Sequence, residues 1–128
     1  MDGLYPGHPK RGEAGEPAFF LVARDEGGRP LACGGVWRSA ADARSGELRK
    51  MYVASESRGT GLGRRLLEAL ELAAAEEGLE RLYLETGTLQ ERALKLYVSG
   101  GYTPMPCFEP FEDEPKSRCF EKWLGSGS

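Results

Sequence analysis

Arg58-Gly59-Thr60-Gly61-Leu62-Gly63-Arg64 is the stretch whose residue types and spacing point most directly to chemistry. Three glycines at alternate positions let the backbone come close to a bulky group. The run opens into a leucine- and alanine-rich segment, residues 62–77. A helix beginning there leaves its first N–H groups unpaired and carries partial positive charge at that end. Arg58, Arg64 and Arg65 add full positive charge. Together these groups suit a phosphate or pyrophosphate. The loop taken alone leaves a second reading open, a turn that simply joins a strand to a helix.

Other elements must hold that loop in place. A strand-like run, residues 47–53, leads into it, and the helix over 62–77 leads away with Leu62, Leu66, Leu70, Ala73 and Ala74 as its buried stripe. Gly78 follows as its cap. Strands are expected at 18–24 and 31–38, joined by an Asp- and Gly-rich turn. Gly34-Gly35 inside the second of them signals a bulge or a close backbone approach. A strand at 81–86, a helix at 89–99 and two final strands at 102–108 and 117–124 complete the chain, with an acidic loop, 109–116, between the last two. The strand–helix–strand unit over 47–86 makes a right-handed crossover between parallel strands. The remaining strands form hairpins, which gives a mixed α/β sheet with helices packed on it. Residues 1–17, broken by Pro6, Pro9 and Pro17, are expected to be an arm, 18–124 the domain and 125–128 a tail.

The chain has 128 residues and a net charge of −3. That length implies one domain, and the charge offers no general footprint for nucleic acid. No apolar run has the length of a membrane span. The polar N-terminus does not resemble a signal peptide. Three cysteines, Cys33, Cys107 and Cys119, are odd in number and lack C-x-x-C spacing. Reduced thiols in a cytoplasmic protein are therefore expected, with neither a disulfide framework nor a metal site. His8 is the sole histidine and lies in the N-terminal arm, so a Cys/His mechanism finds no base.

Spacing then separates the known phosphate loops. A Walker loop ends in Gly-Lys-Ser/Thr, whereas this one ends in Gly63-Arg64-Arg65. The dinucleotide fingerprint needs a sixth-position glycine; counting from Gly59 finds Arg64, and from Gly61 finds Leu66. Arg58, Gly61 and Gly63 fit a third pattern, Arg/Gln-x-x-Gly-x-Gly/Ala. This resembles the pyrophosphate loop of the GNAT superfamily of acetyl-CoA-dependent N-acetyltransferases. Met51-Tyr52-Val53 at the end of the preceding strand resembles the GNAT strand that pairs with the pantetheine arm. Gln90-x-x-Ala93-x-x-Leu96-Tyr97-x-x-x-Gly101-Tyr102 is similar to the family's Asn-x-x-Ala-x-x-Leu-Tyr-x-x-x-Gly-Phe segment, with Gln90 in place of Asn. The resemblance spans about 18–124.

The resemblance implies a mostly antiparallel sheet with one parallel strand pair. It also implies that the strand and two helices which usually open the family's fold are shortened or missing, since 17 residues precede Ala18. A partner chain or homodimer is one way to cover that gap. The implied co-substrate is acetyl-CoA and the implied acceptor a small-molecule or peptide primary amine. The cofactor contacts fall on Met51, Tyr52, Val53, Arg58, Gly59, Thr60, Gly61, Leu62, Gly63, Arg64, Gln90 and Tyr97. Glu47 stands at the family's general-base position, with Glu85 as the substitute, and Tyr97 at the position of the acid near the coenzyme sulfur. Two other functions are carried beside the enzyme: an acyl-CoA-binding module without turnover, and a short interaction domain completed by a partner's strand.

Overall fold

A computed structural model describes residues 16–125. The expectations for the arm and most of the tail fall outside those residues. Among the described residues six strands form one sheet: β1 (Phe19–Arg24), β2 (Pro30–Arg38), β3 (Ser45–Val53), β4 (Arg81–Gly87), β5 (Thr103–Met105) and β6 (Ser117–Trp123). Their order across the sheet is β1-β2-β3-β4-β6-β5. Only β3 and β4 run parallel, joined through helix α1 (Leu62–Glu76). The other neighbouring pairs are antiparallel. A second helix, α2 (Glu91–Ser99), follows β4.

The core lies between the helices and one face of the sheet. Leu66, Leu67, Leu70 and Ala74 of α1 are buried against Val36, Leu48, Leu82, Leu84 and Phe120. The buried stripe includes Leu67 and leaves Ala73 only half-buried, a rotation of the expected face by part of a turn. Both helices end in the same hydrogen-bond pattern. Leu79 N donates to Ala74 O and Gly78 N to Ala75 O; Tyr102 N donates to Tyr97 O and Gly101 N to Val98 O. These bonds pair carbonyls that a helix end otherwise leaves orphaned.

The glycine pair in β2 has a packing reason. At Gly34 the absent Cβ leaves room for Met51 and Leu70, and at Gly35 for the rings of Phe20 and Trp37. The register slips between Cys33 and Gly35, where β3 carries one extra residue. Lys50 takes up the slip with φ +65°. Because of this bulge, Leu48 and Met51 both face the helices although three positions apart.

The last strands differ from expectation. β5 is only three residues long; Pro104 and Pro106 cannot donate to a ladder, which shortens it. The expectation of reduced thiols fails for Cys107 and Cys119, which form a disulfide. Their proximity comes from the β5–β6 register, in which Met105 pairs with Cys119, and sequence spacing carries no trace of that. Cys33 is a buried thiol outside the disulfide, and burial pushes its pKa up to about 11. Closing a loop of 12 residues stabilises by about 3 kcal/mol on chain-entropy grounds. Cys107→Ser is therefore expected to lower the urea midpoint, and dithiothreitol to do the same to the wild type but not to the variant. A wild-type midpoint indifferent to reductant would show that the bridge is neutral for stability.

Candidate active site

The site is built where β3 and β4 part. Their parallel register runs Ser45–Arg81, Gly46–Leu82, Glu47–Tyr83 and then stops. Beyond Glu47 the edge of β3 that faces β4 has no ladder, while its other edge pairs with β2 through Tyr52 and Val53. The bulge at Lys50 sits at the start of this unpaired length. The result is a fork open between two strands, with backbone donors and acceptors along one prong.

On the helix side the fork opens into a groove of about 840 Å³, within the range of small-molecule sites. Met51, Tyr52, Val53, Arg58, Gly59, Gly61, Gly63, Arg64, Gln90 and Tyr97 all line it. Ten of the twelve expected cofactor residues thus meet in one place. Thr60 and Leu62 do not line it. Thr60 Oγ1 donates to Ser57 O, bracing the loop from behind, and Leu62 packs against the core.

The mouth of α1 is arranged for an anion. Gly59 and Gly61 have φ +81° and +86°, and nothing lies within 4 Å of where either Cβ would be. The Gly61 N-cap has no side chain to offer, and no acid lies in the first turn. Leu62 N donates to Thr60 Oγ1 at 3.4 Å, while the amides of Gly63 and Arg64 keep their hydrogen-bonding capacity. The groove lining collects Arg58, Arg64, Arg92 and Lys95 against one carboxylate, Glu91, in a chain of net charge −3. These residues fit a pyrophosphate-bearing ligand. Arg58 also braces the loop. Its Nε donates to Val53 O at 3.0 Å and its guanidinium lies 5.8 Å from the Tyr52 ring centroid, so it ties the loop to the end of β3.

Tyr97 is 6% exposed and its ring meets that of Tyr102 edge-on at 5.7 Å. Burial pushes its pKa up to about 12. A phenol in that state keeps its proton at any ordinary assay pH and is a hydrogen-bond donor. Neighbouring Tyr102 is raised as well, by burial first and then by the Glu71 carboxylate. No acceptor for its buried hydroxyl meets hydrogen-bond geometry among the described residues.

Glu47 is not in the groove lining. It occupies the last paired position of the fork, and its side chain shares a face with Ser45, opposite the helices. Its Oε1 accepts from Arg49 Nη2 at 3.0 Å, and Arg49 also lies 5.4 Å from the Trp37 ring centroid. Glu85 is on the same face, one prong over, and accepts from Ser117 Oγ at 2.7 Å. Reasoning from the sequence overlooked Arg49, although an opposite charge two residues from Glu47 on a strand shares its face. It also overlooked Arg92 and Lys95, whose i, i+3 spacing on the polar side of α2 was available.

Residues 4–102 match the model of the acetyltransferase (GNAT) family. The chain belongs to the GNAT acetyltransferase family. It is 39% identical over 107 residues to an IAA acetyltransferase of Azospirillum brasilense, covering 82% of this chain and 67% of that protein. An uncharacterised N-acetyltransferase of Bacillus subtilis is 32% identical over 110 residues, covering 84% and 72%. A crystal structure from Klebsiella pneumoniae, assigned as an acyl-CoA N-acyltransferase, superposes with a TM-score of 0.77 at 35% identity, covering 82% of this chain and 71% of that one. The mixed six-stranded sheet with its single parallel pair is the GNAT arrangement. Among the described residues no helix is long and apolar enough to cross a membrane.

Proposed function

We propose that this acetyltransferase moves the acetyl group of acetyl-CoA to a primary amine by direct attack within a ternary complex. The observation that carries the reading is the joining of two features. The cationic, uncapped glycine-loop groove runs into the β3–β4 fork, and Glu47 stands at the apex of that fork on the opposite face. The cofactor and the amine thus approach one point from two sides of the sheet.

Acetyl-CoA supplies an activated thioester. The loop amides from Gly59 to Arg64 hold its pyrophosphate, and the open edge of β3 from Met51 to Val53 pairs with its pantetheine. An alkylammonium has a pKa near ~10.4 and must lose a proton before it can attack. Glu47 takes that proton, directly or through one water, on Oε2, which makes no other hydrogen bond among the described residues. Arg49 fixes the carboxylate by binding Oε1. As the C–N bond forms and the C–S bond breaks, Tyr97 donates a hydrogen bond to the departing thiolate. The proton released from the acceptor nitrogen balances the thiol that forms. A phenol at about 12 does not give up its proton permanently to a thiolate whose own acid titrates near ~8.5, so its role is stabilisation.

Two measurements test this reading. The chain is incubated with acetyl-CoA and a panel of amines, and free thiol is followed; coenzyme binding without thiol release from any amine would indicate a non-catalytic binding module. Glu47→Gln keeps an acceptor for Arg49 but removes the base. It is expected to lower kcat about 100-fold at neutral pH, with little change in the KM for acetyl-CoA. The deficit narrows as pH rises and the free amine becomes abundant. A rate equal to wild type would make the Glu47–Arg49 pair structural and move the base to Glu85.

A further inference from the structure

The two helices define a register that reaches beyond the loop. The Cβ position at Gly63 lies 3.6 Å from Leu96 and that at Gly100 lies 3.1 Å from Leu67. Arg64 Nη1 donates to Ser99 Oγ at 3.3 Å. These contacts keep nearly the same offset, so α1 and α2 run side by side in the same direction. Carried one turn back towards the N-termini, that offset sets Arg92 and Lys95 beside the glycine loop at 59–62. Spaced i, i+3, they share a helix face, and both line the groove.

The four groove cations are not equivalent. Arg58 is engaged with Val53 O and the Tyr52 ring. Arg64 is engaged with Ser99 and, at 3.4 Å, with Glu68. The side chains of Arg92 and Lys95 make no ion pair or hydrogen bond among the described residues. A pyrophosphate held on backbone amides and the α1 terminus leaves these two charges without a counterpart. Coenzyme A carries one more phosphate, the monoester on the 3′-hydroxyl of its ribose.

We propose that Arg92 and Lys95 form a second phosphate subsite, across the groove from the glycine loop, that selects the 3′-phosphorylated coenzyme. The inference rests on the acyl-CoA reading above, and its test separates the two. Binding of CoA and of 3′-dephospho-CoA is measured by calorimetry and by thermal shift, for the whole 128-residue chain, for Arg92→Gln/Lys95→Gln and for Arg44→Gln. Both target side chains are exposed, so the double variant folds. The wild type is expected to bind CoA roughly tenfold more tightly than the dephospho form, the scale of a charge-assisted contact at a solvated site. The double variant brings that ratio to about one while its affinity for dephospho-CoA changes less than about twofold. Arg44→Gln removes an exposed cation at the far end of β3, outside the groove, and retains the ratio. Equal weakening of both ligands in the double variant, or a wild type that does not distinguish them, overturns the subsite alone. A wild type that binds neither overturns the cofactor reading and the subsite with it.

Discussion

Tyr97→Phe is expected to lower kcat about 100-fold, the effect of removing one donor aimed at developing negative charge, while the KM for acetyl-CoA moves less than about threefold. The structural reason lies in how little else the hydroxyl does. The Tyr97 ring is packed against Tyr102, and its carbonyl accepts the bond from Tyr102 N that closes α2. Phenylalanine keeps both. Tyr97 lines the groove, and its hydroxyl bonds to no group among the described residues. The pH profile provides a second readout. With the phenol pushed up to about 12 by burial, Tyr97 imposes no alkaline limb on kcat below about pH 10. Its effect on stability has a defined sign. The folded pKa is raised above the unfolded value near ~10, so stability is intact below about pH 10 and falls as pH rises towards 12. Tyr97→Phe removes that part of the alkaline loss; Tyr102 and Cys33, both raised by burial, retain theirs. Equal losses in kcat and cofactor affinity, or no loss in either, would assign Tyr97 to packing.

The two parts of the site were unequally visible in the sequence. The loop could be read because its chemistry is local. Glycines at 59, 61 and 63, an arginine three residues before Gly61 and an amphipathic helix immediately after are all consecutive. The same holds for α1, whose apolar spacing needs no partner to be recognised, and for the strand β3 that precedes it. What local pattern does not carry is register. The fork depends on where β3 and β4 stop pairing, and the bulge beside it at Lys50 depends on the register of β3 against another strand, between Cys33 and Gly35. The Cys107–Cys119 bridge depends on β5–β6 pairing, and an odd cysteine count argued against it. Glu47 shows both sides of the matter. Its position on the strand that leads into the loop is as expected, whereas its place at the end of the parallel pair and its commitment to Arg49 appear only once register and side chains are set. Arg58 was expected at the phosphates for its charge, and the fold also uses it as a strut between the loop and Val53, which its charge does not announce.

Gly61→Val is expected to raise the KM for acetyl-CoA roughly 100-fold, corresponding to the loss of about two charge-assisted backbone contacts. Gly61 is the residue at which the chain turns into α1, and its φ of +86° is in the left-handed region. A β-branched residue there is a genuine conformational outlier. The structure shows that the obstacle is not crowding, because a Cβ at Gly61 would meet nothing within 4 Å. The backbone must move instead, and with it the first amides of the helix. Strain of this kind also costs on the order of 1–3 kcal/mol of stability, so a fall in activity alone would be ambiguous. Gly28 resolves the ambiguity. It has φ +87°, again with nothing within 4 Å of its Cβ position, but it lies in the β1–β2 turn and does not line the groove. Gly28→Val is expected to lower the melting temperature as much as Gly61→Val does and to leave KM at the wild-type value. If Gly61→Val shows only the stability loss that Gly28→Val shows, with KM unchanged, the pyrophosphate does not sit on the loop amides and the cofactor assignment built on them falls.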